Sequence, residues 1–313
     1  MAANRVKIQE INNSIKTNLA EYVRIAEDNY HNQLKAMADK IICDRGSKPL
    51  VLISGPSGSG KTTSALRIAN LIKQGGLNVH TISMDNYFLP NELGELPRDK
   101  DGKVDLESPY RVDIKLFSEH LEKLFRCEEI KVPVFDFATQ SRSDFIPITR
   151  KDDEIIIIEG IHALNPLVTG DTGSFTTCIY VSVRTRITAD DGAVLHPSRI
   201  RLMRRLMRDK LFRGRKLEDI FELFASVSRG EELYIMPYKH RANFDIDTFI
   251  SYEASAYKEL LLPGLGEIRE IMKDNTNYKD IMKFLAELSP LSAEAIPADS
   301  LVREFIGGSC LPY

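Results

Sequence analysis

Along residues 6–42 apolar side chains recur every three or four positions, at Ile8, Ile11, Ile15, Leu19, Tyr22, Ala26, Tyr30, Leu34, Met37 and Ile41. That spacing lines one face of an α-helix and predicts one or two amphipathic helices. The stripe is expected to pack on its own domain, although the seam of a homo-oligomer would carry the same pattern. It breaks at Asp44-Arg45-Gly46-Ser47, and a denser alternation begins. Leu50-Val51-Leu52-Ile53 reads as a buried strand, residues 63–73 return to helical spacing before Gly75-Gly76, and residues 77–84 read as a second strand. Residues 91–107 are polar and without period, as in a surface loop or one that closes over a substrate. Residues 113–125 are helical by pattern and 131–135 predict a strand, while four consecutive isoleucines at 155–158 suit a central strand covered on both faces. Further on come a strand over 178–183, a basic helix over 199–212, a helix over 217–227 and a last strand over 244–250. From Pro263 the chain is helical and loop-like, with Asp299-Ser300 capping a short helix that stops at Gly307-Gly308. Strands alternating with helices predict an α/β fold, a mostly parallel sheet with helices on both faces. The expected division is a helical extension over 1–46, a core over 47–262 and a helical tail over 263–313.

Composition narrows the function without naming it. With 43% hydrophobic and 28% charged residues, 313 residues can bury a large core. A net charge of -3 gives no overall attraction to nucleic acid or to an anionic membrane, so any basic function must be local. Cys43, Cys127, Cys178 and Cys310 lie far apart without metal-ligand spacing, which predicts buried free thiols in a reducing compartment. No run of 18 apolar residues occurs and the first thirty residues carry charges throughout, so a cytoplasmic protein is expected.

The chemistry enters at residues 55–62, GPSGSGKT, which fit the phosphate loop G-x-x-x-x-G-K-[ST] between a predicted strand and a predicted helix. This turns the α/β pattern into a P-loop NTPase fold. Gly55, Gly58 and Gly60 allow the tight turns that aim successive N–H groups into one cavity. Ser57, Ser59, Lys61, Thr62 and Thr63 complete the candidate nucleotide-binding stretch, with Lys61 as a mobile cation and the Thr62 hydroxyl within reach of a bound Mg2+. Glu159 ends the isoleucine strand, where such proteins put a carboxylate that supports the metal. Asp85 ends its own strand and could accept the proton of an attacking hydroxyl. The helix from Arg199 holds Arg201, Arg204, Arg205, Arg208, Lys210, Arg213 and Arg215 against one acid, Asp209. Such a strip reads either as a lid over a triphosphate or as a face for RNA; the lid is preferred, because a groove binder would interleave aromatics. No guanine-reading N-K-x-D is present, which argues against a GTPase.

With these residues laid out, the chain resembles the uridine kinase and phosphoribulokinase family, in particular its bacterial uridine kinase-like branch. The resemblance covers about residues 50–252 and rests on ISGPSGSGKTT, SMDNYF, DLESPYRVD, VPVFDFATQSR, IIIIEGIHAL and RRLMRDKLFRGR. The tail IPADSLVREFIGGS is similar to the end of that branch. The resemblance implies ATP and Mg2+ as cofactors, with Lys61, Asp85 and Arg208 in the catalytic step and Asp85 activating a nucleoside 5′-hydroxyl. It implies Thr62, Glu159 and Asp85 around the metal, and Arg205, Arg208, Arg213 and Arg215 as the lid. Tyr87, Asp105, Glu107, Phe135, Gln140, Arg142 and Arg205 become acceptor-binding candidates. Glu107 stands where the family has a ribose-binding Asp, one methylene shorter, with Asp105 nearby. Pyrimidine kinases of the family carry a base-contacting Tyr and His where this chain has Phe135 and Gln140. The stacking face is kept and a hydroxyl is lost. The expectation is a nucleoside kinase acting on uridine or cytidine, with no membrane and no nucleic acid as partner. Its rivals are a kinase for another small hydroxyl substrate, such as pantothenate or a sugar phosphate, and a nucleotide-binding regulatory or RNA-associated protein.

Overall fold

The computed structural model describes residues 4–90 and 96–312, so positions 91–95 of the polar loop expected to cover a substrate lie outside the described residues. At its centre is a five-stranded sheet in the order Phe244–Asp247, Thr176–Ser182, Leu50–Ser54, Ile155–Glu159, Val79–Ser83, every pair parallel. The three middle strands are almost wholly buried, which explains runs of apolar residues rather than alternation. Alternate side chains still separate to opposite faces. Val51, Ile53, Ile155, Ile157, Ile179 and Val181 join one hydrophobic cluster, while Leu50, Leu52, Ile156, Ile158 and Tyr180 join another.

The first cluster draws on both ends of the chain. Helices Ile8–Thr17 and Leu19–Asp44 are separated at Asn18, whose side chain accepts the Glu21 N–H and caps the longer one. Tyr30, Leu34 and Ile41 on that helix are fully buried, and the Tyr30 hydroxyl meets Ser64 Oγ at 2.8 Å on helix Lys61–Gln74. The N-terminal stripe is therefore covered within the chain. From the other end, Phe284 and Leu285 of helix Thr276–Glu287 and Phe305 of helix Arg303–Ile306 enter the same cluster. Ser300 Oγ accepts the Val302 N–H in the turn ahead of that helix, whose N-terminal flank is Val302 and not the expected Asp299-Ser300, with no side-chain cap.

Three features depart from the sequence reading. Of the four free cysteines expected to be buried only Cys178 is, while Cys43 and Cys310 are exposed on segments at the two ends of the chain that pack other side chains inward. The strand expected over 131–135 lies outside the parallel sheet: Ile130–Asp136 pairs antiparallel with Ser141–Ile148 as a separate hairpin. Its second strand escaped the reading because it is mostly exposed, carries Pro147 and lacks alternation. A small second sheet, Arg5–Lys7 with Arg186–Thr188 and Val194–Leu195, joins the N-terminus to the core through strands too short to show a period.

Candidate active site

Because all five strands run the same way, their C-terminal tips share one edge, where open α/β sheets gather ligands. The phosphate loop leaves the middle strand there. A Cβ on Gly55 would stand 2.0 Å from the backbone oxygen of Val181, so no larger residue fits, and Gly60 opens helix Lys61–Gln74 with φ +83. The loop is braced from behind by helix Pro197–Arg213 and the segment after the last strand. Arg201 donates to Ser57 O at 3.2 Å, Arg204 to Gly58 O at 3.1 Å, and Thr248 Oγ1 to Ser59 O at 2.7 Å. In a trans peptide the C=O and the following N–H point opposite ways, so carbonyls tied backwards turn the Gly58 and Gly60 N–H groups forward. Arg205 reaches Ser57 Oγ at 2.5 Å, and Lys61 Nζ rests 3.4 Å from Pro56 O. Thr62 lines a cavity of about 640 Å³, whereas Thr63 is buried and donates its hydroxyl to the Glu304 carboxylate.

Three carboxylates lie within the electrostatic reach of Lys61. Asp85 sits in the 3-10 turn Met84–Tyr87 that ends strand Val79–Ser83. Glu159 lies level with Ser83 and accepts its hydroxyl at 2.9 Å. Glu107 presses on Gly230, where an added Cβ would come within 2.2 Å of the Glu107 Cβ. Burial pushes all three carboxyls above their ordinary range, Glu159 to about 7, and in each case the Lys61 ammonium opposes the shift. Asp85 raises both of its acidic neighbours, while Arg213, Arg111 and Arg208 pull it back. These groups share one electrostatic field. Among the described residues no three His, Cys, Asp or Glu side chains form a metal cage. Asp85, Glu159 and Thr62 offer only oxygen donors beside the phosphate loop, which fits Mg2+, a cation that takes one or two carboxylates and completes its shell with phosphate and water.

The other acceptor candidates divide into those that reach this recess and those committed elsewhere. Gln140, at φ 53, accepts from Arg111 at 3.3 Å and donates to Phe137 O at 2.8 Å. Arg142 joins Asp113, at 3.0 Å, to the Tyr87 carbonyl, at 3.2 Å. Tyr87 is buried with its hydroxyl on His120 Nδ1 and its ring edge-on to Phe117. Asp105 receives the Tyr234 hydroxyl at 2.9 Å. Phe135 is buried in an edge-to-face trio with Phe88 and Phe137, of which Phe137 is the exposed member.

The sequence reading missed several neighbours. Arg111 is buried, lies 4.7 Å over the Phe88 ring and acts on both Asp85 and Glu107. His162 is buried beside the Glu107 backbone, and burial pushes its pKa down to about 4, so it stays neutral. Phe137 could have been found as the second aromatic of FDF at the hairpin turn; His162 carries no sequence signal beyond following Glu159 by three residues.

The arginine helix is less of a bare positive strip than its composition suggests. Arg201 pairs with Glu231 at 2.5 Å, and fully buried Arg204 pairs with equally buried Glu253 at 2.8 Å. Arg205, Arg208, Arg213 and Arg215 all gather on Asp209, at 3.6, 2.8, 3.3 and 3.7 Å. Those four are the lid candidates, and Arg213 and Arg215 retain substantial exposure.

A glycine-rich loop from the middle of a parallel sheet, a lysine facing acids on the neighbouring tips and arginines close by define a P-loop protein of the phosphotransferase class. Residues 50–252 match the model of the Phosphoribulokinase / Uridine kinase family, and the chain belongs to that family. It is 32% identical over 203 residues to a uridine kinase of Geobacillus sp. (strain WCH70), covering 64% of this chain and 87% of the relative. A uridine kinase of Staphylococcus aureus (strain JH9) is 31% identical over 198 residues, 63% and 86% of the two chains. Among solved structures, a putative fructose transport system kinase from Silicibacter sp. TM1040 aligns with TM-score 0.46 and 20% identity over 68% of this chain and 98% of its own. The chain is thus a P-loop kinase with a small-molecule substrate, and none of its described helices is long and apolar enough to cross a membrane.

Proposed function

We propose that this chain transfers the γ-phosphoryl group of ATP to the 5′-hydroxyl of a nucleoside, with uridine and cytidine the expected acceptors. The observation that carries the reading is that Lys61, Asp85 and Glu159 follow or end three neighbouring parallel strands at the C-terminal edge of the sheet. Burial raises the affinity of Asp85 for a proton, which suits a base that accepts one from an acceptor hydroxyl. Glu107 and Arg111 offer an acceptor and a donor for ribose hydroxyls, and Phe88, Phe135 and Phe137 offer an aromatic wall for a base. Thr62, Glu159 and Asp85 would hold Mg2+, which would neutralise charge on the phosphate oxygens. Lys61 and the lid arginines stabilise the same charge, and catalysis then rests on positioning and electrostatics.

The names of the curated relatives favour a uridine-type acceptor. Selection of the base is expected to be loose, because the Gln140 amide is held by Arg111 and the Phe137 carbonyl instead of standing free. The test is ADP release with ATP and Mg2+ over a panel of uridine, cytidine, purine nucleosides, pantothenate and sugar phosphates. Release stimulated by a pyrimidine nucleoside supports the reading. Release stimulated only by pantothenate or a sugar phosphate overturns it.

A further inference from the structure

The family match ends at residue 252, yet the chain returns to the phosphate loop well beyond it. Residues 301–311 lie across the start of helix Lys61–Gln74: a Cβ on Gly60 would meet Leu301 Cδ1 at 2.5 Å, and Thr63 donates to Glu304. The segment is firmly held. Leu301 and Phe305 are fully buried, Arg303 donates to Ala293 O at 2.8 Å and Ile296 O at 2.7 Å, and Cys310 N–H donates to Ala298 O at 3.0 Å.

Between this segment and the arginine helix lies the cavity of about 640 Å³, bounded by Thr62, Phe212, Arg213, Glu304, Gly307 and Gly308 among others. Its size suits a small organic ligand. Phe212 is 57% exposed at its mouth, with Gly307 so close that an added Cβ would stand 3.2 Å from the ring. Gly307 and Gly308 have φ +87 and +73, so bare backbone meets Phe212 at the one and Arg303 at the other without the cost that a Cβ would bring.

The direction of a bound triphosphate follows from the loop. The phosphate-loop lysine serves the β/γ end, and here the Lys61 ammonium lowers the proton affinity of the Asp85 and Glu159 carboxyls. The cavity begins at Thr62, one residue beyond Lys61, so a triphosphate whose terminal phosphates sit on Lys61 can carry its nucleoside end past Thr62 into it. We propose that residues 301–311 and Phe212 build the seat for the heteroaromatic base and ribose of the phosphoryl donor, so that the tail selects the donor. The inference rests on the phosphate-loop reading above. Phe212 supplies the stacking face, and the Glu304 carboxylate supplies an acceptor for ribose hydroxyls.

Calorimetric titration with ADP and with inorganic tripolyphosphate separates the parts, because only ADP has a base to stack. In Phe212→Ala the Kd for ADP should rise about tenfold more than that for tripolyphosphate, and Phe212→Tyr should restore the ratio to within about threefold. An unchanged ratio in Phe212→Ala, or equal loss of both ligands, overturns the donor seat while leaving the kinase reading intact. Tripolyphosphate binding without ADP binding by the unsubstituted chain overturns it too. Failure to bind either ligand overturns the phosphate-loop reading and this inference together.

Discussion

Replacing Arg204 by Leu should separate the stability of this protein from its grip on phosphate. The guanidinium is fully buried and donates to both Glu253 oxygens at 2.8 and 2.9 Å, to the Thr248 carbonyl at 2.6 Å, to Thr248 Oγ1 at 3.2 Å and to Gly58 O at 3.1 Å. Leucine leaves the Glu253 carboxylate buried with, among the described residues, only the Ile250 N–H and the Tyr257 hydroxyl, at 3.2 and 3.3 Å. Breaking a buried pair in this way costs about 3–5 kcal/mol. Against a total stability of about 5–15 kcal/mol, that brings the chain near its unfolding threshold. In Arg204→Leu/Glu253→Leu the orphaned charge is gone, and at least about half of the loss should return, since apolar replacement of a buried ion pair is often neutral or better. ADP binding should not return with it, because the Gly58 carbonyl has lost its brace in both variants. Urea unfolding gives the stabilities, and calorimetry at low denaturant gives the affinities. A loss below about 1 kcal/mol in the single variant, within the range of an ordinary hydrogen bond, would refute the reasoning. So would a double variant that binds ADP as well as the unsubstituted chain.

The remaining predictions concern the site itself. Asp85→Asn should cut turnover about 10²–10⁴-fold in a coupled ADP assay while leaving ADP affinity nearly intact; unchanged turnover removes Asp85 from the mechanism. Gly55→Ala drives a methyl to 2.0 Å from the Val181 carbonyl, and the overpacking should cost about 1–3 kcal/mol and displace the loop, seen as a lowered Tm and weakened ADP binding. His162 holds a folded-state pKa of about 4 against 6.5 in the open chain, so the unfolded state binds more protons between those values. Stability should fall as pH drops from about 6.5 to 4, by up to about 3 kcal/mol, and His162→Gln should flatten that part of a stability–pH profile.

What could be read from sequence was what depends on residue type at fixed spacing. The phosphate loop needs glycine where a backbone carbonyl passes within 2.0 Å of an added carbon, so Gly55 announces itself. The isoleucine run shows a strand covered on both faces because nothing polar could survive there. Direction was harder. The arginines of helix Pro197–Arg213 look alike in sequence, yet Arg204 is braced by Glu253 and Arg201 by Glu231, partners that only folding brings near. Phe135 and Phe137 differ by two positions, but the one is buried and the other open to solvent. The return of residues 301–311 to the phosphate loop left no local trace, since a contact between Leu301 and Gly60 depends on the path of everything between them.

Asp209 is wholly buried, with four guanidinium groups crowded round one carboxylate. It already plays the part of an anion in a nest of cations, so a polyphosphate that recruits those arginines enters a contest with an incumbent. The free energy of recruiting them is a difference between two hosts for the same positive charge. If the lid arginines close on a nucleotide as proposed, its affinity would be tuned from Asp209, and Asp209→Asn would let the visitor win more easily.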